Sequence, residues 1–460
     1  MVTTELSMDV LAGSRLFNAR PSALLLVSVV GFAACYAVAV AYSVGEAMAY
    51  IVLAGFLLHW LIYSRSVSTP LMLAVLSGLV LLPLVRLNEL LAVVVYFLGC
   101  IFFVARVPRE TDRRLVSALA VYYVGVTVHL LYFSPLFEGD TVTYFLQLGE
   151  YRSVFEYVGV FVQNILADPL WLTGFYQKFP MLYLPFYFSL DLSSPSSFVV
   201  INTTLWVATV LMLKQFSEQY TDISDSNLSP TLYSVLMLLS PLFIYYSSQF
   251  QKEVTTIFFT VLAAFLFTRD RYFAFLLVAA SAFYLRPYAL AMIAVYVLVF
   301  NGRLYWLVAV LGGSFSILLV YSRSAVTAIN SAVAFLFVFV TPLPFELNNW
   351  LQASVTLRTV ESSVVGGLFA VSVLFIMANR DVRREYALLA LGISTYAVTT
   401  VLVGYTLTAP ETYDLLTLGI NLGRKKSLVH PLILLWAALT LQLLWRRLPN
   451  VEFYILNDRS

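Results

Sequence analysis

The residues of this chain that could do chemistry are conspicuous because charge is rare in it. Residues 134–156 read SPLFEGDTVTYFLQLGEYRSVFE, and they place Glu138 and Asp140 after a run, 115–133, that has no acidic residue, lysine or arginine. A carboxylate can orient an attacking hydroxyl group or accept its proton. Ionisable residues beside a long apolar segment are costly, so they are candidate functional residues. We call 134–156 the acidic segment and expect catalysis there.

Basic residues stand beside later apolar segments and could bind a phosphate group. They are Lys178 in GFYQKFP, Lys252 before Glu253 in SSQFQKEV, Arg286 in FYLRPYAL, and Arg424, Lys425 and Lys426 in NLGRKKSLVHP. Clustered guanidinium and ammonium groups hold phosphates and stabilise charge on a leaving group. Aromatic side chains of the acidic segment, Tyr144 among them, could stack on a sugar ring. The set predicts transfer of a group from a phosphate-bearing lipid, with Glu253 as a further candidate catalytic carboxylate.

The composition indicates an integral membrane protein. Of the 460 residues, 61% are hydrophobic and only 11% are charged, whereas soluble domains carry about 25% charged residues. The net charge of +2 does not suggest a nucleic-acid partner. The three histidines are too scattered to predict a metal cluster, and His430 reads as a polar residue at a helix end.

Apolar runs of the length that a membrane-spanning helix needs recur along the chain. The candidate spans are 22–42, 45–63, 70–86, 88–105, 115–134, 196–213, 230–247, 253–268, 304–322, 362–379, 385–406 and 428–445. The stretch 272–301 reads as two short helices that meet at Arg286-Pro287, because proline ends or kinks a helix. The fold prediction is therefore an all-α membrane protein with about 12 to 14 transmembrane helices.

The positions of arginine predict the orientation of the spans. Arginines fall in alternate short loops, which the positive-inside rule assigns to the cytoplasm together with both termini. The long loops 135–195 and 323–361 then lie outside, the first as interfacial helices. Residues 326–345 read as a re-entrant or interfacial helix. Two plainer interpretations stay open: Asp140 could cap a helix that begins near Thr141, and 424–426 could be a cytoplasmic anchor.

From Arg113 onward the chain resembles the GT-C superfamily of polytopic glycosyltransferases, which use polyprenyl- or dolichyl-phosphate sugars. The segments that carry the resemblance are FEGDTVTYFLQLGEYRS, YQKFPMLYLPFYF, SQFQKEV with Glu253, FYLRPYAL and GRKKSLVHP. The resemblance implies a GT-C-like core over 111–460, preceded by an added four-helix transmembrane module over 1–110. The chain departs from the family in having Glu-Gly-Asp where the family has adjacent carboxylates.

The resemblance also implies an activity and a set of roles. A sugar would pass from a polyprenyl-phosphate donor to a glycan, lipid or protein acceptor, on the extracytoplasmic face of the plasma membrane. Asp140 would be the catalytic carboxylate, with Glu138 or Glu253 as its helper, while the basic residues hold the lipid phosphate. If the chain binds a divalent cation such as Mg²⁺ or Mn²⁺, Asp140 and Glu253 are its expected ligands.

Two other functions compete with this prediction. A polysaccharide polymerase or ligase of the O-antigen type would use a lipid-diphosphate glycan and depend more on arginines than on Asp140. A flippase or transporter of lipid-linked sugars would show broken helices in both halves of the fold. The sequence offers one such break, at 286–287, with no counterpart, and this counts against a transporter.

Overall fold

The computed structural model describes most of the chain after Arg113. The described residues are 93–94, 97–98, 101, 113–136, 139–151, 154–167, 183, 195–224, 228–286, 288–322, 325–378, 380, 382–407 and 422–447. Nearly all of the predicted N-terminal module lies outside them. The regular secondary structure within them is entirely helical, as predicted.

The described part of the chain contains fifteen helices. They are α1 (Arg113–Tyr132), α2 (Gly139–Gly149), α3 (Val154–Ala167), α4 (Pro195–Ser224), α5 (Pro230–Leu239), α6 (Pro241–Ser247), α7 (Lys252–Thr268), α8 (Tyr272–Leu285), α9 (Ala289–Phe300), α10 (Leu304–Ser322), α11 (Ala325–Val340), α12 (Leu347–Leu351), α13 (Ala353–Ala378), α14 (Arg383–Leu407) and α15 (Leu422–Arg447).

Five of these helices contain a segment long and apolar enough to cross a membrane. The segments are Arg114–Tyr132, Phe198–Thr221, Val355–Ala378, Arg383–Leu402 and Lys426–Arg446, and the bent pair α5–α6 makes a sixth if it counts as one span. Four more helices, α8 to α11, are apolar but shorter. The chain is therefore a multi-pass membrane protein by the length and composition of its helices.

The predicted span 230–247 is not one continuous helix. It consists of α5 and α6, whose axes differ by 56°. The break falls at Ser240, whose backbone is extended, and α6 begins with Pro241. Proline has no N–H group to donate, and its ring clashes with the preceding turn, so a helix that reaches Pro241 has to restart there.

Other boundaries were predicted more closely. The stretch 272–301 forms two helices that meet at Arg286, as expected. By contrast, α13 begins at Ala353 and not at 362, and α15 begins at Leu422 and not at 428. These earlier starts bring polar residues that were assigned to loops into the packed helices.

The core of the bundle is built around α7 and α15. Helix α7 is buried along most of its length and packs against α4, α8 and α9. Helix α15 contains Pro431, which interrupts the hydrogen-bond ladder of the helix. Two buried tyrosine hydroxyls donate to carbonyl oxygens beside it: Tyr233 to Pro431 O at 3.1 Å and Tyr296 to Leu428 O at 2.7 Å. They fix the part of α15 that carries His430.

Candidate functional site

Several helix termini meet at one end of the bundle. The segment after α1 contacts the turn before α7, where Gln249 Nε2 donates to Ser134 O at 3.2 Å and Phe250 N donates to Pro135 O at 3.0 Å. The junction of α8 and α9 reaches the same place through Arg286. We call this end, where α1 and α8 end and α7 begins, the polar end.

Glu253 and Arg286, both predicted as site residues, form an ion pair at the polar end. Arg286 Nη2 lies 2.9 Å from Glu253 Oε1, and the Glu253 side chain is only 3% exposed. The guanidinium carbon is also 5.8 Å from the centre of the Tyr288 ring. Burial opposes the charge of Arg286, but Tyr288 and Glu253 outweigh it and raise the pKa of the guanidinium above its ordinary value. Arg286 therefore stays charged, although its side chain is only partly exposed.

Lys252 and Tyr144, two further predicted site residues, also come together. The Lys252 ammonium lies 5.7 Å from the centre of the Tyr144 ring, and both residues are buried. Tyr144 belongs to α2, and the backbone of Asp140 lies one turn before it in the same helix. Because α2 begins at Gly139, Asp140 stands within the first turn and not at the cap position.

The structure does not test the remaining members of the predicted set. Glu138 and Lys178 lie outside the described residues, and only the backbone of Asp140, Arg424 and Lys425 is described. Lys426 is described, and its buried ammonium donates to Thr341 O at 2.7 Å. A protein carbonyl thus binds the lysine that was predicted to hold a lipid phosphate.

A cluster that the sequence did not reveal surrounds Glu361 in α13. Its Oε1 lies 2.8 Å from His430 Nε2 and accepts the Ser240 hydroxyl at 2.5 Å, and its Oε2 accepts Leu242 N–H at 3.0 Å. The positive charge of Lys426 also acts on this carboxylate. We call Glu361, His430, Ser240 and Lys426 the Glu361 cluster. It joins the α5–α6 break to α13 and α15.

His430 therefore lies inside α15, fully buried, and not at a helix end. The sequence feature that could have indicated this cluster is the Ser-Pro pair at 240–241 within an apolar run. A helix break in lipid exposes backbone groups that need a polar partner from elsewhere in the protein, and Glu361 supplies it.

A second cluster that was not predicted lies at the end of α1. His129 Nδ1 is 2.8 Å from the Ser248 hydroxyl, which in turn donates to Tyr245 O at 2.8 Å. The guanidinium carbon of Arg358, in α13, sits 3.9 Å from the centre of the Tyr245 ring. We call His129, Ser248, Tyr245 and Arg358 the His129 cluster.

A polar network joins Tyr183, which lies between α3 and α4 in the chain, to α4 and α7. The Tyr183 hydroxyl donates to Asn202 Oδ1 at 2.8 Å and lies 2.6 Å from Thr255 Oγ1. Asn202 Nδ2 donates in turn to Gln249 O at 2.7 Å. This network connects α4 and α7 to the turn that carries Ser248.

The structure does not test the predicted metal site, because the side chain of Asp140, one of its two expected ligands, lies outside the described residues. Among them, no three His, Cys, Asp or Glu side chains group together as ligands. Glu253 faces a cation already, the guanidinium of Arg286, and its charge is compensated there. We therefore assign no step to a metal ion.

No protein-family model, curated protein or solved structure matches this chain. The likeness to the GT-C superfamily remains a resemblance of short motifs and of their order.

Proposed function

We propose that the protein is a membrane glycosyltransferase that moves a sugar from a polyprenyl-phosphate donor to a hydroxyl-bearing acceptor. The observation that supports the proposal best is the gathering of sequence-distant ionisable residues at the polar end. Lys252, Glu253 and Arg286 meet there with the helix that carries Asp140. Buried charge is costly, and in membrane proteins it marks substrate sites.

The reaction that these groups could support is a direct displacement at the anomeric carbon. The acceptor oxygen attacks this carbon, the bond to the phosphate oxygen breaks, and the lipid phosphate leaves with the bonding electrons. Arg286 and Lys252 would stabilise the charge on the leaving phosphate. Asp140 would orient the acceptor hydroxyl or accept its proton. Such a displacement inverts the anomeric centre, in line with the family resemblance.

The experiment is a transfer assay on the purified protein in lipid nanodiscs. The donors are polyprenyl- and dolichyl-phosphate hexoses and, in a separate set, polyprenyl-diphosphate-linked glycans; the acceptors are a glycolipid, a peptide and an oligosaccharide. Asp140→Asn should lower the rate by about 100-fold or more, whereas Asp270→Asn, at an exposed turn far from the polar end, should leave it unchanged. Full turnover by Asp140→Asn would refute the role of Asp140. Turnover only with diphosphate-linked glycans would favour the polymerase or ligase.

One structural observation favours a second candidate, a transporter of lipid-linked sugars. The break between α5 and α6 is a second interrupted helix, in addition to the one at Arg286, and a carboxylate satisfies its backbone. Interrupted helices with polar partners are typical of secondary transporters. Proteoliposomes loaded with a fluorescent polyprenyl-phosphate hexose separate the two: a transporter moves the lipid between leaflets without acceptor, and a transferase needs the acceptor.

A further inference from the structure

Large apolar side chains are exposed on the connection that leads from α11 to α13. Leu347, Trp350 and Leu351 are three and four positions apart in α12, so they share one face of this short helix. Leu347 is 71% exposed, Leu351 is 73% exposed, and Phe345, just before the helix, is 75% exposed. We call Phe345, Leu347, Trp350 and Leu351 the α12 patch. Exposed apolar residues that are grouped in this way mark a surface that meets another molecule or a membrane.

Hydrogen bonds within the connection hold the α12 patch in a fixed shape. Trp350 Nε1 donates to Pro344 O at 2.6 Å, and Asn349 Nδ2 donates to Leu343 O at 3.0 Å. The indole N–H of Trp350 therefore has its acceptor inside the connection, and the exposed part of the ring is apolar. Side chains that are already ordered lose little conformational freedom when they bind. The patch is thus prepared for contact with an apolar partner.

The α12 patch is attached directly to the first turns of α13. Thr356 Oγ1 donates to Trp350 O at 3.0 Å, and Thr359 Oγ1 donates to Asn349 O at 3.3 Å. The candidate membrane span of α13 begins at Val355, just after α12 ends. The patch therefore lies beside the end of a membrane-spanning segment.

The exposed side of α13 is apolar next to the patch. Only 22% of this span is buried inside the protein, the lowest share among the five candidate spans in the described residues. Leu357, Val360 and Val364 are exposed and lie on one face of the helix; we call them the α13 stripe. Val360 follows Thr356 by four residues, so the two are neighbours on the helix surface. The α13 stripe therefore adjoins the residue that binds Trp350 O.

We propose that the α12 patch inserts into the membrane interface, at the boundary between the lipid headgroups and the acyl chains. Its leucine and phenylalanine side chains enter the apolar layer, and Trp350 lies at the level of the headgroups, where tryptophan is enriched. The inference requires that α13 spans the membrane. It is independent of the proposed glycosyltransferase reaction.

The position of the α12 patch favours lipid over a protein partner. In a spanning helix, the apolar residues of the α13 stripe face acyl chains. A water-soluble partner that covered the patch would also have to approach these chains, because the patch and the stripe adjoin. The surface of the bilayer contacts both at once, with its acyl chains on the stripe and its interface on the patch.

Insertion of the α12 patch also fixes the depth of the polar end. The guanidinium carbon of Arg358, in α13, lies 3.9 Å from the centre of the Tyr245 ring, and Tyr245 O accepts the Ser248 hydroxyl in the turn before α7. Lys426 donates to Thr341 O at the base of the connection that carries the patch. The beginnings of α13 and α7 therefore lie at the same end of the bundle. A patch seated in the interface holds the polar end near the layer of the lipid phosphates.

The test measures the depth of single labels on the full chain in phosphatidylcholine nanodiscs. The two cysteines of the chain, Cys35 and Cys100, are replaced by alanine. One cysteine is then introduced, as Phe345→Cys or Leu351→Cys, and labelled with an environment-sensitive fluorophore. The quenchers are iodide in the water and phosphatidylcholine with a nitroxide either near the headgroup or near the end of an acyl chain.

Two further variants serve as matched references for water and for deep lipid. Asn348→Cys lies in the same short helix, at an exposed polar position about 100° around the axis from Leu347. Its label should lose fluorescence to iodide. Val364→Cys belongs to the α13 stripe, and its label should lose more fluorescence to the deep nitroxide than to the shallow one.

We expect the labels at Phe345 and Leu351 to lose more fluorescence to the shallow nitroxide than to the deep one, and to be shielded from iodide. Quenching of both labels by iodide and not by lipid would overturn the proposal, because the patch would then lie in water. Shielding from all three quenchers would also overturn it and would show that protein, such as a second copy of the chain, covers the patch. Thermal unfolding identifies a variant that fails to fold, and Leu347→Cys then takes its place.

Discussion

The two ends of the helical bundle differ in how far their charged side chains are exposed. One end of the bundle contains the connections from α7 to α8, from α9 to α10 and from α13 to α14. The arginine side chains at this end are exposed; they are Arg269, Arg303, Arg380, Arg383, Arg384 and Arg446. We call this the arginine end. At the polar end and in the neighbouring Glu361 cluster, charges are buried and bound by partners: Glu253 by Arg286, and Glu361 by His430 and Ser240.

This difference in exposure separates arginines that can anchor the protein in the membrane from charged residues that anchoring does not explain. Exposed arginines at helix ends can reach lipid headgroups and water at little cost and set the orientation of the spans. A buried charge loses its hydration, and a chain keeps it only where other groups compensate the loss. A buried charge that is paired inside the protein does not help to anchor the protein in the membrane. The contrast is consistent with our proposal that the chemistry takes place at the polar end, and the variants below measure the contrast.

The largest effect on stability is expected at Glu361. Glu361→Ala leaves the Ser240 hydroxyl, Leu242 N–H and His430 Nε2 without their common acceptor. We expect the free energy of unfolding in detergent to fall by about 3–5 kcal/mol, the cost of breaking a buried pair. Glu361→Gln keeps one acceptor oxygen and should cost less.

The control for this prediction is Glu346→Gln, at an exposed glutamate just before α12. It changes the same functional group outside the bundle and should leave stability within about 0.5 kcal/mol of the wild type. Equal effects of the two glutamine variants would contradict the role of Glu361 in holding the α5–α6 break.

A smaller effect is expected at the ion pair of the polar end. Arg286→Gln leaves the buried charge of Glu253 without its partner, and Glu253→Gln does the same to the partly buried charge of Arg286, so each should cost about 2–3 kcal/mol. The double variant removes both charges and should cost less than the sum of the two. A double-mutant cycle on unfolding free energies measures the difference, and we expect a coupling of about 2 kcal/mol. Additive costs would show that the two side chains are independent, and the polar end would lose its central pair.

The packing of α11 against α13, beside the Glu361 cluster, offers a matched pair of glycines. A Cβ on Gly366 would lie 2.7 Å from Val340 Cγ1, whereas one on Gly367 would meet nothing within 4 Å. Gly366→Ala should therefore destabilise the protein by about 1 kcal/mol. Gly367→Ala should stabilise it by about 0.5–1 kcal/mol, since alanine favours the helix. Thermal unfolding of both variants in the same detergent tests the contact, and equal shifts of the two would rule it out.

The sequence singled out one kind of buried or partly buried polar residue and did not single out another. Arg286 next to proline, and Glu253 next to Lys252 at a span boundary, were recognisable because each stands at the end of an apolar run. Their pairing across 33 residues of sequence followed once both helices reached the same end of the bundle. Local spacing is enough to find such residues, because helix ends are visible in the sequence.

Glu361, His430 and His129 were missed for a different physical reason. Each lies within a helix and has a partner that is distant in the chain: Glu361 is 121 residues from Ser240, and His129 is 119 residues from Ser248. Periodicity carries no information about such partners. The Ser-Pro pair at 240–241 did indicate a helix break. Only the packing of α13 against α6 identifies the carboxylate that accepts the free backbone N–H at this break.

The smallest effect is expected at the arginine end. Arg303 is exposed between α9 and α10, and its side chain extends from a turn. Arg303→Gln removes this charge and should change the free energy of unfolding by less than about 0.5 kcal/mol, because the exposed side chain contacts mainly water and lipid headgroups. The change that we expect is in orientation: reporter fusions after α9 should show a weaker preference for one side of the membrane. A loss of stability as large as that of Arg286→Gln would mean that charge is structural at both ends. Burial would then no longer distinguish the end that anchors the protein from the end where we propose its chemistry.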